Sequence, residues 1–334
     1  MAHYRTKILA TGAYHPKKVL TNDDLSKMVE TNHEWIMERT GIAERRICST
    51  EGGEFPSDMA EMATRDALKV AELEPNDIDC ILFCTSTPDF PLPNTACILQ
   101  TKLGIDNNCA CLDVQAACSG FVYGFNMANS MVQTGMFKKV LVVGTDMISS
   151  RVDYTDRTTC ILFGDGCGVA ILARNEDEKD ESNVYSTVLT ADGKGKDFFF
   201  APGGTAVNPP THEMIDKKMH YMKMQGQEMF KVAVRTLAEN AQKVLTEANI
   251  TADEVAWMVP HQANVRIIEA AANRLGFPME KVIINIEKYG NTSAATVPMA
   301  LHEAIDDGRI KRGDIVLLDA FGAGLTAGAT LLKF

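Results

Sequence analysis

Two stretches of this chain follow one pattern. "AELEPNDIDCILFC" (71–84) and "ANITADEVAWMVPH" (248–261) each run from an alanine and an apolar residue through a polar turn to an acid, then Ile or Val, then a short buried run, at a constant offset of 177. A helix-like stretch closing in Leu-Gly follows each, at Leu103-Gly104 and Leu275-Gly276. Gly104 lies 14 residues before Cys118 and Gly276 lies 15 before Asn291; Gly135 and Gly308 then follow Cys118 and Asn291 by 17. Self-similarity of this kind constrains the fold more than any composition, because each unit must bury one face against its twin. The chain is therefore read as two duplicated halves, 1–173 and 184–334, joined by the acidic connector "RNEDEKDESN" (174–183).

Within each half, strand-like and helix-like runs alternate. Short apolar runs occur at 79–86, 139–146, 168–173, 255–261, 281–286 and 314–320. Between them, Phe230, Ala233, Val234, Leu237, Ala241, Val244, Leu245 and Ala248 fit one helical face, as do Val297, Ala300, Leu301, Ala304 and Ile305. Alternation of this kind predicts an α/β fold with mostly parallel or mixed sheets.

Composition narrows the function. Hydrophobic residues make up 46% of the 334 and charged residues 23%, enough for a full core. No apolar run reaches the ~18–20 residues that cross a bilayer. The opening "MAHYRTKILATGAYHP" has no long apolar region before a small-residue cleavage site, so a cytoplasmic location is expected. A net charge of −11 argues against general nucleic-acid binding. Nine cysteines, all in the first half and without a C-x-x-C, argue against a disulfide framework and a zinc knuckle. No ligand spacing suggests a metal.

One of those cysteines, Cys118 in "DVQAACSGFVYG", precedes a helical face of Phe121, Phe125, Ala128 and Val132. A thiol at a helix start feels the positive end of the dipole and free N–H groups, which favour thiolate. The repeat pairs Cys118 with Asn291 in "YGNTSAAT", each expected at the start of a helix. His261 in "VPHQAN" closes a strand of the second half. Sites in open α/β sheets gather beyond the carboxyl ends of strands. Taken singly, these residues read as a packed thiol, a satisfied imidazole and a helix N-cap; taken together, they can converge on one cavity.

"DVQAACSGFVYG", "PHQANVRI" and "YGNTSAATVP" resemble the three active-site motifs of the β-ketoacyl-acyl-carrier-protein synthase III family, thiolase-fold enzymes. "NHEWIMERTGIAERR" (32–46), "FGDGCG" (163–168) and "DAFGAGLTAG" (319–328) extend the likeness over the whole chain. The resemblance implies a layered α/β/α/β/α core, a homodimer, and condensation of an acyl-CoA primer with malonyl-acyl carrier protein to start type II fatty-acid synthesis. Cys118 would carry the acyl group. His261 and Asn291 would hydrogen-bond the malonyl thioester carbonyl, where charge develops as CO₂ leaves. The backbone N–H groups of Cys118 and Ala323 would form the oxyanion hole; the family often has glycine at 323, but alanine keeps the N–H. Phe321 would line the site.

By the same resemblance, Thr31, Trp35, Arg39, Arg157 and Asn264 would bind CoA, with Trp35 and Arg157 on either side of the adenine. Lys231, Arg235 and Arg266 would meet the carrier protein, while Arg235 alone also reads as a solvated charge. CoA thioester and carrier-protein phosphopantetheine enter as substrates, so no separate cofactor is expected. The loop "TPDFPLPNTAC" (87–97) would limit the acyl pocket across the dimer, and "DFFFAPGGT" (197–205) is either a loop over the tunnel or packed. The glycines of "FGDGCG" are expected to allow close backbone packing. The competing readings are a related Cys-His-Asn acyltransferase or polyketide- or quinolone-type condensing enzyme, a cysteine thioesterase, and a non-catalytic acyl-CoA- or partner-binding protein that keeps the fold.

Overall fold

The computed structural model describes residues 4–334, so Met1–His3 of the first half lie outside the described residues. The first half builds a five-stranded sheet from β1 (Arg5–Tyr14), β2 (Cys80–Cys84), β3 (Ala110–Val114), β4 (Lys139–Met147) and β5 (Asp165–Asn175). The second builds a four-stranded sheet from β6 (Asn183–Ala191), β7 (Trp257–Pro260), β8 (Ile315–Phe321) and β9 (Thr326–Lys333). The orders match: β1-β5-β4-β2-β3 in the first and, reversed, β6-β9-β8-β7 in the second. In both, the β2–β4 or β7–β8 pair is parallel and the next two pairs are antiparallel.

The second half has no counterpart of β3. Residues 281–286, expected as a strand, make only one bridge, Met258 to Val282, with the Ile283 N–H on the Met258 carbonyl at 2.8 Å. Gln262 replaces the missing ladder: its side chain donates to Pro260 and Ile283 carbonyls and accepts from the Asn285 N–H.

Seven main helices cover the sheets. These are α1 (His33–Thr40), α2 (Pro56–Ala71), α3 (Thr95–Leu103), α4 (Gly120–Gln133), α5 (Gly226–Ala248), α6 (Val265–Leu275) and α7 (Thr296–Asp306). α2 and α3 pack on the outer face of the first sheet through Ile81, Phe83, Leu141 and Val143. α5 and α6 cover the outer face of the second through Met258, Leu317 and Leu331. α4 and α7 lie between the sheets, in a core cluster that also takes in Leu82, Val142, Val259 and Leu318. The result is five layers, α/β/α/β/α. Strands buried on both faces must be apolar throughout, which is why β2 reads Cys-Ile-Leu-Phe-Cys. The Leu-Gly endings are left-handed C-caps at Gly104 and Gly276.

Close approach of the middle helices depends on missing side chains. Gly144 and Gly168 face each other across β4 and β5. A β-carbon on Gly144 would lie 2.5 Å from the Ala294 carbonyl oxygen, and one on Gly168 2.6 Å from the Met299 nitrogen. Gly164 and Gly166 also press on second-half atoms, of Tyr289 and Met299, in accord with the packing expected of "FGDGCG".

Candidate active site

Each middle helix is preceded by one tight turn, Ala117–Ser119 before α4 and Ser293–Ala295 before α7. Ala117 and Ser293 both hold positive φ, 47° and 54°. Such strain in non-glycine residues is costly and concentrates at functional sites. These turns correct the expected symmetry. Ala117 and Ser293 are 176 apart, whereas Gly135 and Gly308 at the helix ends are 173 apart; α7 has 11 residues and α4 has 14. Counting from the helix ends therefore slips by three. The positional mate of Cys118 is Ala294, and Asn291 lies upstream of the turn in extended backbone.

That backbone is pinned to the first half. The Asn291 N–H donates to Leu162 O at 2.9 Å, and Asn291 O accepts from Gly164 N at 3.1 Å. Its side-chain Oδ1 accepts the Ser293 N–H at 2.9 Å, which leaves the Nδ2 amino group as the donor toward the cavity. His261 follows β7, its N–H on the Asp319 carbonyl at 2.7 Å and its Nδ1 2.6 Å from Thr296 Oγ1. Cys118, His261, Asn291, Phe321 and Asn264 line one apolar cavity of about 150 Å³, walled by Phe230, Ala233 and Leu237 of α5 and Ile267 of α6.

A second cavity, of about 440 Å³, lies on the other side of the thiol. It is lined by Ser86, Thr87, Ala117, Ile148, Arg151, Met222 and Ala323. Cys118, Phe163 and Phe199 belong to both. Phe199 stacks on Phe163 with ring centroids 5.8 Å apart and is packed at the divide, whereas Phe200, Ala201, Gly204 and Thr205 of the same 197–205 segment are exposed and line the larger cavity. Neither the Cys118 nor the Ala323 N–H donates to a protein acceptor among the described residues. A β-carbon on Gly322 would sit 2.7 Å from the Cys118 nitrogen, so only glycine lets this loop reach the thiol's backbone.

Burial dominates the electrostatics. It pushes the Cys118 thiol up to about 12, against a smaller pull from the Ser293 hydroxyl. The expected thiolate is thus outweighed in this dry setting: desolvation penalises the charged form more than the helix start favours it. Burial also lowers His261 to about 3, so its imidazole is neutral at physiological pH.

The residues read as CoA contacts cluster around α1. Guanidinium carbons of Arg39 and Arg157 lie 4.5 and 4.9 Å from the Trp35 ring centroid. Arg157 also donates to Glu30 O, and Asn264, the N-cap of α6, donates to Arg39 O at 2.8 Å. The Thr31 hydroxyl is buried without a protein partner. Lys231, Arg235 and Arg266 are exposed on the helices that wall the smaller cavity, Lys231 paired with Glu228 at 3.0 Å.

Asp146 is a site residue that motif reading passed over. Fully buried at the end of β4, its carboxylate accepts from the Ser86 and Thr87 N–H groups and the Thr85 and Thr87 hydroxyls on one oxygen. The other oxygen accepts the Ala294 N–H. Its one visible signal is an acid closing an otherwise apolar strand. Among the described residues, no group of three or more His, Cys, Asp or Glu is arranged to hold a metal, and no helix is long and apolar enough to cross a membrane.

Fold and cavity together set the protein among the thiolase-fold condensing enzymes. Residues 112–193 match the family model described as 3-oxoacyl-[acyl-carrier-protein] synthase III, and residues 245–334 the model of its C-terminal part. The β-ketoacyl-[acyl-carrier-protein] synthase III of Koribacter versatilis is 48% identical over 99% of this chain and 98% of its own. A crystal structure of the Aquifex aeolicus 3-oxoacyl-[acyl-carrier-protein] synthase III superposes with a TM-score of 0.91 at 45% identity, covering 98% of this chain and all of that one. The priming β-ketosynthase of the R1128 polyketide pathway superposes equally well, TM-score 0.91, at 30% identity over 99% of this chain and 97% of that one. The chain belongs to the β-ketoacyl-acyl-carrier-protein synthase III family and is an acyltransferase of that class.

Proposed function

We propose that this enzyme condenses an acyl-CoA primer with malonyl-acyl carrier protein, giving 3-oxoacyl-acyl carrier protein, CoA and CO₂, and so initiates type II fatty-acid synthesis. The observation that carries the reading is the meeting of Cys118, His261 and Asn291 on one apolar cavity, with a second cavity beside the thiol. The Cys118 sulfur attacks the acyl-CoA carbonyl, the bond to the CoA sulfur breaks, and the Cys118 proton passes to that sulfur so that CoA leaves as the free thiol. The acyl chain then occupies the larger cavity, and the smaller one admits the pantetheine arm. The malonyl thioester carbonyl takes hydrogen bonds from Asn291 Nδ2 and His261. Two neutral donors in a water-excluded site stabilise the enolate formed as CO₂ departs. The enolate carbon attacks the acyl thioester, whose oxygen is held by the N–H groups of Cys118 and Ala323. Collapse breaks the bond to Cys118, releases 3-oxoacyl-acyl carrier protein, and leaves a thiolate that takes a proton from solvent.

Trp35, Arg39, Arg157, Thr31 and Asn264 bind the CoA, and Lys231, Arg235 and Arg266 meet the acidic carrier protein. No further cofactor takes part. The protein works in the cytoplasm as a homodimer: β3 pairs only with β2 and leaves its outer edge open, and Leu112 on it, with Phe90 and Leu92 of the adjoining loop, is 43%, 57% and 84% exposed. Apolar exposure beside an open edge suits pairing with a second copy. The likeness to a polyketide priming ketosynthase favours one second reading, the same reaction feeding a secondary-metabolite pathway.

The test is mass spectrometry of the enzyme after incubation with acyl-CoA primers, followed by malonyl-acyl carrier protein. An acyl adduct on Cys118 that is converted to 3-oxoacyl product supports the reading. No adduct with any primer sinks it, and release of free acid alone favours a thioesterase.

A further inference from the structure

We infer that Thr296 is a positioning residue that fixes which nitrogen of His261 carries the proton. The inference rests on the condensation reading, in which His261 donates to the malonyl carbonyl. A neutral imidazole has one N–H and one lone pair, and the partner of one nitrogen decides the state of the other. Nδ1 of His261 is engaged by Thr296 Oγ1 at 2.6 Å, so Nε2 is the nitrogen left for the cavity.

Thr296 has two possible acceptors for its hydroxyl proton, His261 Nδ1 at 2.6 Å and the Ser293 carbonyl at 3.0 Å. If the proton goes to Ser293, Nδ1 must donate and Nε2 presents a lone pair, which repels a developing enolate. If it goes to Nδ1, Nε2 keeps its hydrogen and stabilises that charge. Two observations select the second arrangement. The contact to Nδ1 is the shorter. The Ser293 carbonyl, turned by its left-handed backbone, already accepts the Thr296 N–H, so it is satisfied without the hydroxyl. Thr296 is buried as the first residue of α7, where a β-branched side chain has little rotamer freedom. The hydroxyl is thus held on the ring.

The experiment is ¹⁵N NMR of ring-labelled histidine in the full-length enzyme, with the His261 signals assigned by their loss in His261→Gln. A protonated Nε2 and an unprotonated Nδ1 are expected; a protonated Nδ1 overturns the inference, and this measurement needs no Thr296 variant to fold. In Thr296→Val the tautomer shifts, and malonyl decarboxylation falls by about 100-fold or more, the scale on which a wrong tautomer costs. Acyl transfer to Cys118 falls far less, and Thr296→Ser restores most of the decarboxylation. An unchanged tautomer in Thr296→Val, or a valine variant as fast as the serine one, also overturns it. If the condensation reading itself fails, no 3-oxoacyl product forms with any variant while the NMR result stands.

Discussion

The carboxylate of Asp146, at the end of a first-half strand, accepts the backbone N–H of Ala294 from the second half at 3.2 Å. The same group holds residues 85–87 beside the larger cavity. It is therefore a clasp between the turns that carry the thiol's surroundings and those that carry its counterpart. Asp146→Ala leaves the Ser86 and Ala294 N–H groups unsatisfied in the interior, each at a cost of roughly 1–3 kcal/mol, while the Thr87 N–H keeps the Thr85 hydroxyl. Urea unfolding should show a loss of several kcal/mol, about 3 or more, with Asp146→Asn less affected because its carbonyl oxygen still accepts. A stability within about 0.5 kcal/mol of the parent would remove the clasp from this account.

Gly144 tests whether the two middle helices can be pushed apart. Its missing β-carbon makes room for the Ala294 carbonyl, a backbone atom that cannot rotate away. Gly144→Val should destabilise by roughly 1–3 kcal/mol or more and slow acylation of Cys118. Gly193→Ala, with no atom within 4 Å of the added carbon, serves as the control and should unfold at the parent's urea midpoint.

Two titrations follow from burial. The Cys118 thiol stands near 12, above its usual range, so the thiolate is the minor form at neutral pH and grows as pH rises. Alkylation of the Cys118 peptide by iodoacetamide should climb about tenfold per pH unit between 7 and 10, and a plateau below pH 9 would contradict this. His261, lowered to about 3, stays neutral across the same span. Its protonation should leave no step in the malonyl decarboxylation rate between pH 5 and 8; a step near 6.5 that vanishes in His261→Gln would count against a buried neutral ring.

The adenine end makes a separable prediction. Arg157 lies 4.9 Å from the Trp35 centroid, whereas a base held between two stacked groups needs about 7 Å, two contacts of ~3.5 Å. If the adenine sits between Trp35 and Arg157, as proposed, Arg157 swings out to admit it and gives up its bond to Glu30 O. Trp35→Ala should raise the acyl-CoA KM about tenfold with kcat little changed, since it removes binding shared by ground and transition states. Acylation by a short N-acetylcysteamine thioester, which lacks the nucleotide, should not change. An equal loss with both donors would make Trp35 a folding residue.

The repeat and the inner strands β2, β4, β7 and β8 were legible because both-face burial leaves uninterrupted apolar runs. The antiparallel strands β1, β6 and β9 were harder to see, since β1 and β6 alternate buried with half-exposed residues and resemble ordinary loop flanks. The segment 281–286 misled for the opposite reason: Val282, Ile283 and Ile286 are buried, but Gln262, not a neighbouring strand, satisfies its backbone. Cys118, His261 and Asn291 were each placed at the cavity by sequence. The three-residue slip between Asn291 and the true mate of Cys118 was not readable, because nothing in the spacing tells a shortened helix from a shifted turn. Asp146 escaped because an acid's worth lies in the five donors gathered around it, drawn from parts of the chain as far apart as residues 85 and 294.

The turn of Cys118 and the turn of Ala294 are one structure made twice, and only one of them bears a sulfur. Two identical subunits related by a true axis would be obliged to carry the same residue at both places. A single covalent chain is not, and here the second copy has a methyl group where the first has its thiol. In the proposed mechanism the second copy, with no thiol of its own, offers the donors of Asn291 and His261 to a substrate bound at the first. Fusion of the two copies is what permits one half to become reagent and the other its environment.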